Sequence, residues 1–326
     1  AGVASENIVA LCDVDDERAA AAYKQFPKAR RFRDYRNLLD AMHKEIDAVV
    51  VSTPDHTHAG PSLMAMKLGK HCYCEKPLAH TVYECRRMTE VAKEKNLATQ
   101  MGTQIHSMDN YRRVVELVQG GAIGPVREVH VWAKAKYHGG AMPKEFPATP
   151  EAIDYDRWLG PAPYRPFHPA WTPFWWRNWW DFGTGALGDF GCHFGDLAFW
   201  ALDLRCPTTV ESEGPPVDAA SAPEWMIVRY AYPARGAMPP VNLTWYDSEK
   251  RPPFLVERKI PEWDSAVLFV GEEGMILADY TRKLLLPEEK FAGFKAPEPT
   301  IPTSIGHHQE WIVACKTGSP TTCNFD

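Results

Sequence analysis

Two residues four positions apart in the sequence GDFGCH could carry out proton transfer. An α-helix would place Asp189 and His193 on one face, with their Cβ atoms about 6 Å apart. A histidine so placed can take a proton from a hydroxyl group, and the carboxylate can orient the imidazole or bind a neighbouring hydroxyl. The alternative for the same spacing is a structural pair on a helix surface.

A lysine follows a short apolar stretch that is typical of a buried strand. Lys76 lies in CEKPL, directly after the predicted strand His71–Cys74, and Pro77 fixes the backbone behind it. At the carboxyl end of a strand, its ammonium group could stabilise a developing alkoxide and lower the pKa of a substrate hydroxyl. A solvated surface lysine is the alternative, and the position after a buried strand disfavours it.

An aspartate ends the first predicted strand. Asp13 follows IVALC directly. In a dinucleotide-binding fold, an acid at the end of the second strand accepts hydrogen bonds from the adenosine ribose, and its charge repels a 2′-phosphate. Asp13 therefore predicts NAD rather than NADP as the cofactor. A helix N-cap or a surface acid is the alternative.

Two histidines follow the strongest predicted strand, which runs from Ile46 to Thr53. The sequence Thr53-Pro54-Asp55-His56-Thr57-His58 comes at its carboxyl end, where open α/β sheets bind ligands. His56 and His58, with Thr53 and Pro54, are thus candidate cofactor contacts. The alternative is helix capping by Asp55 or Thr57, with the histidines satisfied inside the protein.

An aromatic segment contains six of the twelve tryptophans between Trp158 and Trp180. Aromatic rings suit the apolar faces of sugars, so Trp176 is a candidate substrate contact and Arg177 a candidate polar anchor. A hydrophobic core or a subunit interface is the alternative. The sequence GTGALG, with glycines at 183, 185 and 188, follows this segment. Because no β-branched strand precedes this motif, a turn is favoured over a pyrophosphate site.

The first third of the chain alternates short apolar strands with amphipathic helices. The predicted helices cover Asp15–Phe26, His58–Leu68 and Thr81 to about Asn96, and the last opens with a Thr81–Glu84 capping box. This alternation predicts a Rossmann-type, doubly wound parallel sheet. The sequence begins only 12 residues before Asp13, so we expect residues 1–124 to lack the first strand and the glycine-rich turn of such a domain.

The alternation of strands and helices ends at about residue 125. Residues 127–137 alternate strictly between apolar and polar side chains, which predicts a half-buried strand. A helix is predicted near Asp189–Leu202, and further strands near residues 225–231, 241–245, 266–270 and 275–278. Residues 125–326 are therefore predicted to form an α+β domain with an open, mostly antiparallel sheet.

Composition excludes several classes of protein. The net charge of −6 disfavours a nucleic-acid surface, and the short basic stretch Lys28–Arg33 is interpreted as a solvated turn. No apolar run is long enough for a membrane span. The eight scattered cysteines show no metal-ligand spacing, which favours free thiols, no metal site and a cytoplasmic location. Export of the protein from the cytoplasm is the alternative.

Four motifs taken together resemble the Gfo/Idh/MocA oxidoreductases, the group of glucose–fructose oxidoreductase and inositol dehydrogenase. The motifs are STPDHTH, CEKPLA, MGTQIH and GALGDFGCHFGD, and they occur in the order of that family over nearly the whole chain. The resemblance implies an N-terminal domain that binds NAD(P). It also implies a C-terminal domain whose sheet forms a substrate wall and an oligomer interface.

The resemblance also implies roles for individual residues. Lys76, Asp189 and His193 match the catalytic trio of the family. The cofactor and substrate positions that it implies are Glu75, His58 and Gln104 at the nicotinamide ribose, Asp13 at the adenosine ribose, and Tyr137 and Arg177 on the substrate side. Gln104 stands where many members have Asn or Arg.

These observations predict an oxidoreductase that transfers a hydride between NAD and a ring secondary alcohol of a sugar, sugar derivative or cyclitol. The predicted partners are that small molecule and further copies of the chain, in a dimer or tetramer, with no nucleic acid or membrane. One alternative is a glycoside hydrolase that forms a transient keto-sugar and recycles NAD. Another is a non-catalytic module that binds a sugar or nucleotide.

Overall fold

The computed structural model describes residues 2–326 and divides into two compact units. Unit 1 comprises the described part of Ala1–Gly102 with Gly139–Thr184 and Ile305–Asp326. Unit 2 comprises Thr103–His138 and Gly185–Ser304. Each unit is discontinuous along the chain, whereas the sequence predicts a single boundary after residue 124.

The strands and helices are numbered along the chain. The strands are β1 (Ala10–Cys12), β2 (Arg30–Phe32), β3 (Ala48–Val51), β4 (His71–Cys74), β5 (Thr99–Met101), β6 (Val126–Ala133), β7 (Thr209–Glu213), β8 (Ile227–Tyr232), β9 (Val241–Asp247), β10 (Ala266–Gly271), β11 (Met275–Ala278) and β12 (Lys283–Leu286). The helices are α1 (Asp16–Gln25), α2 (Tyr35–Met42), α3 (Ala59–Lys67), α4 (Val82–Glu94), α5 (Asp109–Gln119), α6 (Tyr155–Leu159), α7 (Gly185–Leu202), α8 (Glu288–Phe291) and α9 (His307–Thr317).

Unit 1 is a parallel α/β structure, as the alternation of strands and helices predicts. Strands β1 and β2 form one parallel pair, and β3, β4 and β5 form a three-stranded parallel sheet. The helix starts follow local chemistry. Asp15 accepts hydrogen bonds from two backbone N–H groups at the start of α1, and Thr81 and Glu84 form the predicted capping box of α4.

The basic stretch Lys28–Arg33 is largely exposed, as predicted, and Lys28 lies in a turn, but the interpretation of the whole stretch as a turn was wrong. Residues Arg30–Phe32 form strand β2, which pairs with β1 and leaves its other edge open. An arginine-rich edge strand lacks the β-branched pattern of a buried one, although charged side chains are common at such edges. The Arg31 guanidinium lies over the Tyr23 ring, 4.5 Å from its centroid.

Unit 2 is built on a seven-stranded sheet with the order β12-β11-β10-β6-β9-β8-β7. All neighbouring pairs are antiparallel except β6 and β9, which are parallel. The prediction of an open, mostly antiparallel sheet is therefore confirmed. Helices α5 and α7 cover one face, and their apolar side chains share a single core with the strands.

The prediction of a half-buried strand over residues 127–137 is confirmed at Glu128, Lys134 and Lys136, which are exposed, but it was wrong in the middle of β6. His130 and Trp132, on the face predicted to be open, are both buried. Residues 250–263 cover this face, because Leu255 and Ile260 pack in one cluster with Trp132. The Trp132 indole N–H also donates to the Trp263 carbonyl oxygen at 2.7 Å. The alternating pattern of β6 gives no sign of a cover that comes from more than 100 residues further along the chain.

No helix within residues 2–326 is long and apolar enough to cross a membrane. The eight cysteines of the described chain carry free thiols. The predicted cellular compartment stays a prediction.

Candidate functional site

Helix α7 carries the predicted acid–base pair. It begins at Gly185, whose φ of +63° suits glycine, and it runs to Leu202. Asp189 is 4% exposed and His193 is half-buried. Because they are four residues apart in a regular helix, both lie on one face of α7, as predicted.

Two contacts fix α7 around His193. The buried Tyr111 hydroxyl, on α5, donates to the His193 backbone carbonyl oxygen at 3.1 Å. One turn further along, Asp196 Oδ2 lies 2.9 Å from His106 Nδ1, and the His106 ring stacks on Trp200 with centroids 4.0 Å apart. The segment of α7 that carries His193 is therefore held by α5 and by the short 3-10 helix Gln104–Ser107 that precedes it.

Aromatic rings surround the His193 imidazole within unit 2. Phe190 and Tyr280 each lie edge-to-face with it, at centroid distances of 6.2 Å. Tyr137, a predicted substrate contact, lies 6.2 Å from the Phe190 ring. Burial and the Asp189 charge raise the pKa of the Tyr280 hydroxyl, so it stays protonated and can donate a hydrogen bond.

The loop after β4 places Glu75 and Lys76 at the carboxyl end of that strand. The Glu75 N–H continues the ladder by donating to the Val51 carbonyl oxygen at 2.9 Å. Gly102 follows β5 and packs against this loop, because a Cβ there would lie 2.2 Å from Glu75 Oε2 and 2.8 Å from its Cα. Both side chains of the loop are half-buried.

His58 joins the loops that follow β3 and β4. Its Nε2 lies 2.7 Å from the Thr53 carbonyl oxygen and its Nδ1 lies 2.8 Å from that of Pro77. The ring is 1% exposed, and burial lowers its pKa. This placement favours the alternative of an interior histidine, since both ring nitrogens face backbone carbonyls. Thr53 itself is exposed at the strand end, and Pro54 is half-buried.

His56 lies inside unit 1 among the aromatic side chains. Nδ1 lies 3.2 Å from the Phe182 carbonyl oxygen and Nε2 lies 3.0 Å from that of Trp158. The rings of the same two residues are 5.2 and 5.4 Å away. Burial lowers the pKa of His56 to about 4. His56 thus anchors the aromatic segment rather than presenting a ring nitrogen to a ligand.

Most of the aromatic segment is core. Trp176, a predicted substrate contact, is 6% exposed. The Arg177 guanidinium covers its ring at 4.1 Å and also contacts Phe174. The other rings of the segment that are buried are Tyr155, Trp158, Trp171, Trp179 and Phe182, and those that are exposed are Tyr164, Phe174 and Trp175.

Asp13 lies at the carboxyl end of β1 with its side chain half-buried. Its backbone N–H donates to Phe32, and its Oδ1 accepts from the Asp15 N–H at 3.0 Å. Burial raises the pKa of this carboxyl group. Asp15, and not Asp13, is the N-cap of α1, so the capping alternative does not apply to Asp13.

The GTGALG sequence is a turn and a helix start, as predicted. A Cβ at Gly183 would lie 2.6 Å from the Arg177 Cα, so the backbone passes closely there. Gly185 and Gly188 belong to α7. Thr184 donates to Asp55 Oδ2 at 2.9 Å.

The predicted site residues thus form two groups, one in each unit. The strand ends of unit 1 carry Asp13, Thr53, Pro54, Glu75 and Lys76. Unit 2 carries Gln104, Tyr137, Asp189 and His193; Gln104 begins a short 3-10 helix after β5 and is half-buried. Within residues 2–326, no group of three or more His, Cys, Asp or Glu side chains is arranged to hold a metal ion.

Four residues that contribute to these groups were missed in the sequence. They are Gly102, His106, Tyr111 and Tyr280. His106 stands in the MGTQIH motif, so the sequence pointed to it. Tyr111 and Tyr280 lie outside any motif, and only the packing against α7 reveals them.

The fold defines the class: a Rossmann-type α/β unit combined with a unit built on an open sheet. Two family models match the chain, an oxidoreductase family with an NAD-binding Rossmann fold over residues 2–103 and its C-terminal alpha/beta domain over residues 110–245. The chain belongs to the Gfo/Idh/MocA family of NAD-binding oxidoreductases.

Curated relatives include two dehydrogenases. Inositol 2-dehydrogenase of Salmonella typhimurium is 29% identical over 154 residues, which are 46% of this chain and 44% of that protein. Levoglucosan dehydrogenase of Pseudarthrobacter phenanthrenivorans is 26% identical over 189 residues, 58% of this chain and 40% of that protein. The matched region thus spans less than half the length of either relative.

Solved structures share the fold over almost the whole chain. The WlbA dehydrogenase from Bordetella pertussis, in complex with NADH and UDP-GlcNAcA, has a TM-score of 0.64 and 18% identity, over 97% of this chain and 82% of that one. Levoglucosan dehydrogenase in complex with NADH and levoglucosan has a TM-score of 0.60 and 19% identity, with the same coverage.

Proposed function

We propose that this protein is an NAD-dependent dehydrogenase that oxidises a ring secondary alcohol of a sugar, sugar derivative or cyclitol. The observation that carries the proposal is the pair Asp189 and His193 on one face of a helix, fixed by Tyr111. The two dehydrogenase relatives act, by their names, on inositol and levoglucosan, and both names favour a carbohydrate-like substrate.

The residues at the strand ends of unit 1 fit a dinucleotide. The half-buried Asp13 carboxylate suits a ribose diol and disfavours a 2′-phosphate, so we favour NAD over NADP. Thr53, Pro54, Glu75 and Lys76 follow the neighbouring strands, where ligands bind in open α/β sheets. We propose that His56 and His58 hold these loops in place, and that Gln104 contacts the nicotinamide ribose.

In the proposed reaction, bound NAD+ supplies the hydride acceptor. His193 takes the hydroxyl proton of the substrate at a ring nitrogen, acting as general base. The Lys76 ammonium stabilises the negative charge that develops on the same oxygen. Asp189 orients the imidazole or accepts a hydrogen bond from an adjacent hydroxyl group. Tyr137 and Arg177 stay candidate substrate contacts.

A second proposal concerns the oligomeric state of the protein. We propose that copies of the chain associate through the sheet of unit 2, as a dimer or tetramer. Residues 250–263 already cover part of the outer face, whereas the edge strand β7 is exposed along its whole length. An unpaired edge strand is a surface on which a second copy can pair. Light scattering of the purified protein tests this proposal.

The proposed activity is tested by incubation with NAD+ and a panel of cyclitols, hexoses and anhydrosugars. We expect NADH to accumulate in equal amount with a keto-sugar. Release of an aglycone from a glycoside without net NADH would instead support the hydrolase that recycles NAD. If the panel gives neither hydride transfer nor aglycone release, the proposal of an enzyme fails and the non-catalytic module gains support.

A further inference from the structure

A cavity of about 350 Å³ lies beside α7 in unit 2. It is lined by Phe190 and Phe194, one turn apart on the helix, and by Tyr280 in the turn between β11 and β12. The Phe194 and Tyr280 rings stack with centroids 4.6 Å apart and planes 17° apart. This volume is at the lower end of the range for small-molecule sites, which suits a single ring.

The rings that line this cavity also border His193. Phe190 and Tyr280 both line the cavity, and both lie 6.2 Å from the imidazole. Phe190 and Tyr280 therefore belong both to the lining of the cavity and to the surroundings of the His193 imidazole. The turn that carries Tyr280 is fixed, because the Asn110 side chain donates to the carbonyl oxygens of Asp279 and Arg282 at 2.8 and 2.9 Å.

The charges that line the cavity are compensated. The Arg282 guanidinium pairs with Asp279 and also lies over the Trp263 ring at 4.0 Å. Asp264 lies 3.2 Å from Lys134 Nζ. No cation is left over for a phosphate or a carboxylate, so the cavity favours a ligand without charge.

The polar groups left in the cavity are hydroxyls. Ser265 and Thr281 line it, where Ser265 Oγ accepts from the Lys134 N–H and Thr281 Oγ1 donates to Asp279. The Tyr280 hydroxyl makes no hydrogen bond to any residue in the range 2–326. Aromatic faces combined with a few hydroxyl groups match a neutral sugar ring, which has an apolar C–H face and a polar rim.

We propose that this cavity is a second sugar subsite, and that the preferred substrate is a glycoside whose neutral second ring lies between Phe190 and Tyr280. The inference rests on the proposed function, since it places the reacting ring at His193. It goes beyond that function by assigning the substrate class: two linked rings rather than a free monosaccharide. The hydroxyl of Tyr280 donates to the second ring.

The test compares KM for a reactive hexose with KM for a neutral disaccharide that contains the same hexose at its reacting end. We expect the wild-type protein to favour the disaccharide by about tenfold in KM. Tyr280→Phe removes the hydroxyl and should reduce this ratio about fivefold, and Tyr280→Trp should abolish it by filling the cavity. Tyr230→Phe, on β8 and outside the cavity, is the matched control and should keep the ratio.

Ligand-detected NMR with an unreactive disaccharide gives a second readout that does not need turnover. Disaccharide binding that is lost in Tyr280→Trp but kept in Tyr230→Phe supports the subsite. If hydride transfer is never observed alongside such binding, only the proposed function fails. Turnover with equal KM for the two substrates overturns the subsite and leaves the dehydrogenase standing. The subsite is also overturned if all three variants keep the wild-type ratio of the two KM values. A preference for a disaccharide whose second group is negatively charged overturns it as well.

Discussion

The imidazole of His58 lies 2.8 Å from the carbonyl oxygen of Pro77, the residue that follows Lys76. Its other ring nitrogen lies 2.7 Å from the Thr53 carbonyl oxygen. One buried side chain therefore connects the loops after two neighbouring parallel strands. Since Lys76 stands in the second loop, this contact holds the backbone directly beside it.

We expect His58→Ala to lower the free energy of unfolding by about 1–3 kcal/mol, because it removes a buried imidazole and the hydrogen bond that its N–H donates to a backbone carbonyl. We also expect kcat to fall about tenfold while the KM for the sugar changes little, because Lys76 is displaced and substrate binding is not. Urea unfolding and steady-state kinetics measure the two effects. His43→Ala, which removes one contact to the Leu39 carbonyl of the preceding helix α2, is the control. Equal kcat in the two variants would contradict a positioning role.

The burial of His56 predicts that stability falls in mild acid. Its pKa is about 4 in the folded protein, against about 6.5 in an unfolded chain. Below pH 6.5 the unfolded state binds a proton that the folded state does not, so stability is fully present above pH 6.5 and is lost as the pH falls towards 4. The loss reaches about 3 kcal/mol at the lower limit.

Urea unfolding of the wild-type protein and of His56→Gln between pH 7 and 4 measures this effect. The glutamine variant is less stable at pH 7, but its stability should fall less steeply with acid because one titrating group is gone. Parallel slopes in the two proteins would show that His56 does not carry the effect.

Asp13 should set the preference between NAD and NADP. Asp13→Asn removes the charge that repels a 2′-phosphate and weakens the hydrogen bonds to the ribose, so we expect the ratio of the two dissociation constants to shift about tenfold towards NADP. Calorimetric titration with each dinucleotide measures the ratio. Glu17→Gln, an exposed change on α1, should leave it as in the wild type. An unchanged ratio in Asp13→Asn would remove Asp13 from the cofactor site.

The Tyr111 hydroxyl should stabilise α7 at the level of His193. Tyr111→Phe deletes one buried hydrogen bond and leaves the ring in place, so the expected loss of unfolding free energy is about 1 kcal/mol. Because His193 becomes less well placed, kcat should fall severalfold with little change in KM. Thermal unfolding and kinetics are the measurements. A loss of stability without any change in kcat would reduce Tyr111 to a packing residue.

Local chemistry predicted much of unit 1. The capping box of Thr81 and Glu84 and the β-branched run before Thr53 are signals within a few residues, and α4 and β3 lie where these signals predict them. Strand β2 was missed because its stability comes from pairing with β1 at a sheet edge, and its arginines resemble those of a loop. The β-propensity of a segment reflects its own residues and does not show which strand it will pair with.

The site was predictable where residues were close in sequence. The spacing of Asp189 and His193 predicts their shared helix face correctly. The role of His56 was not predictable, because its two carbonyl partners lie 102 and 126 residues away. Tyr280 was missed for the same reason, since only the pairing of β11 with β12 brings its turn to α7.

The central claim is that His193 takes the proton of the carbinol that is oxidised. The most direct measurement is the single-turnover rate of NADH formation for wild type and His193→Ala, with NAD affinity determined in parallel by calorimetry. We expect the rate to fall by about 10²–10⁴-fold while NAD binds as in the wild type. A wild-type rate in His193→Ala on the same sugar would contradict it.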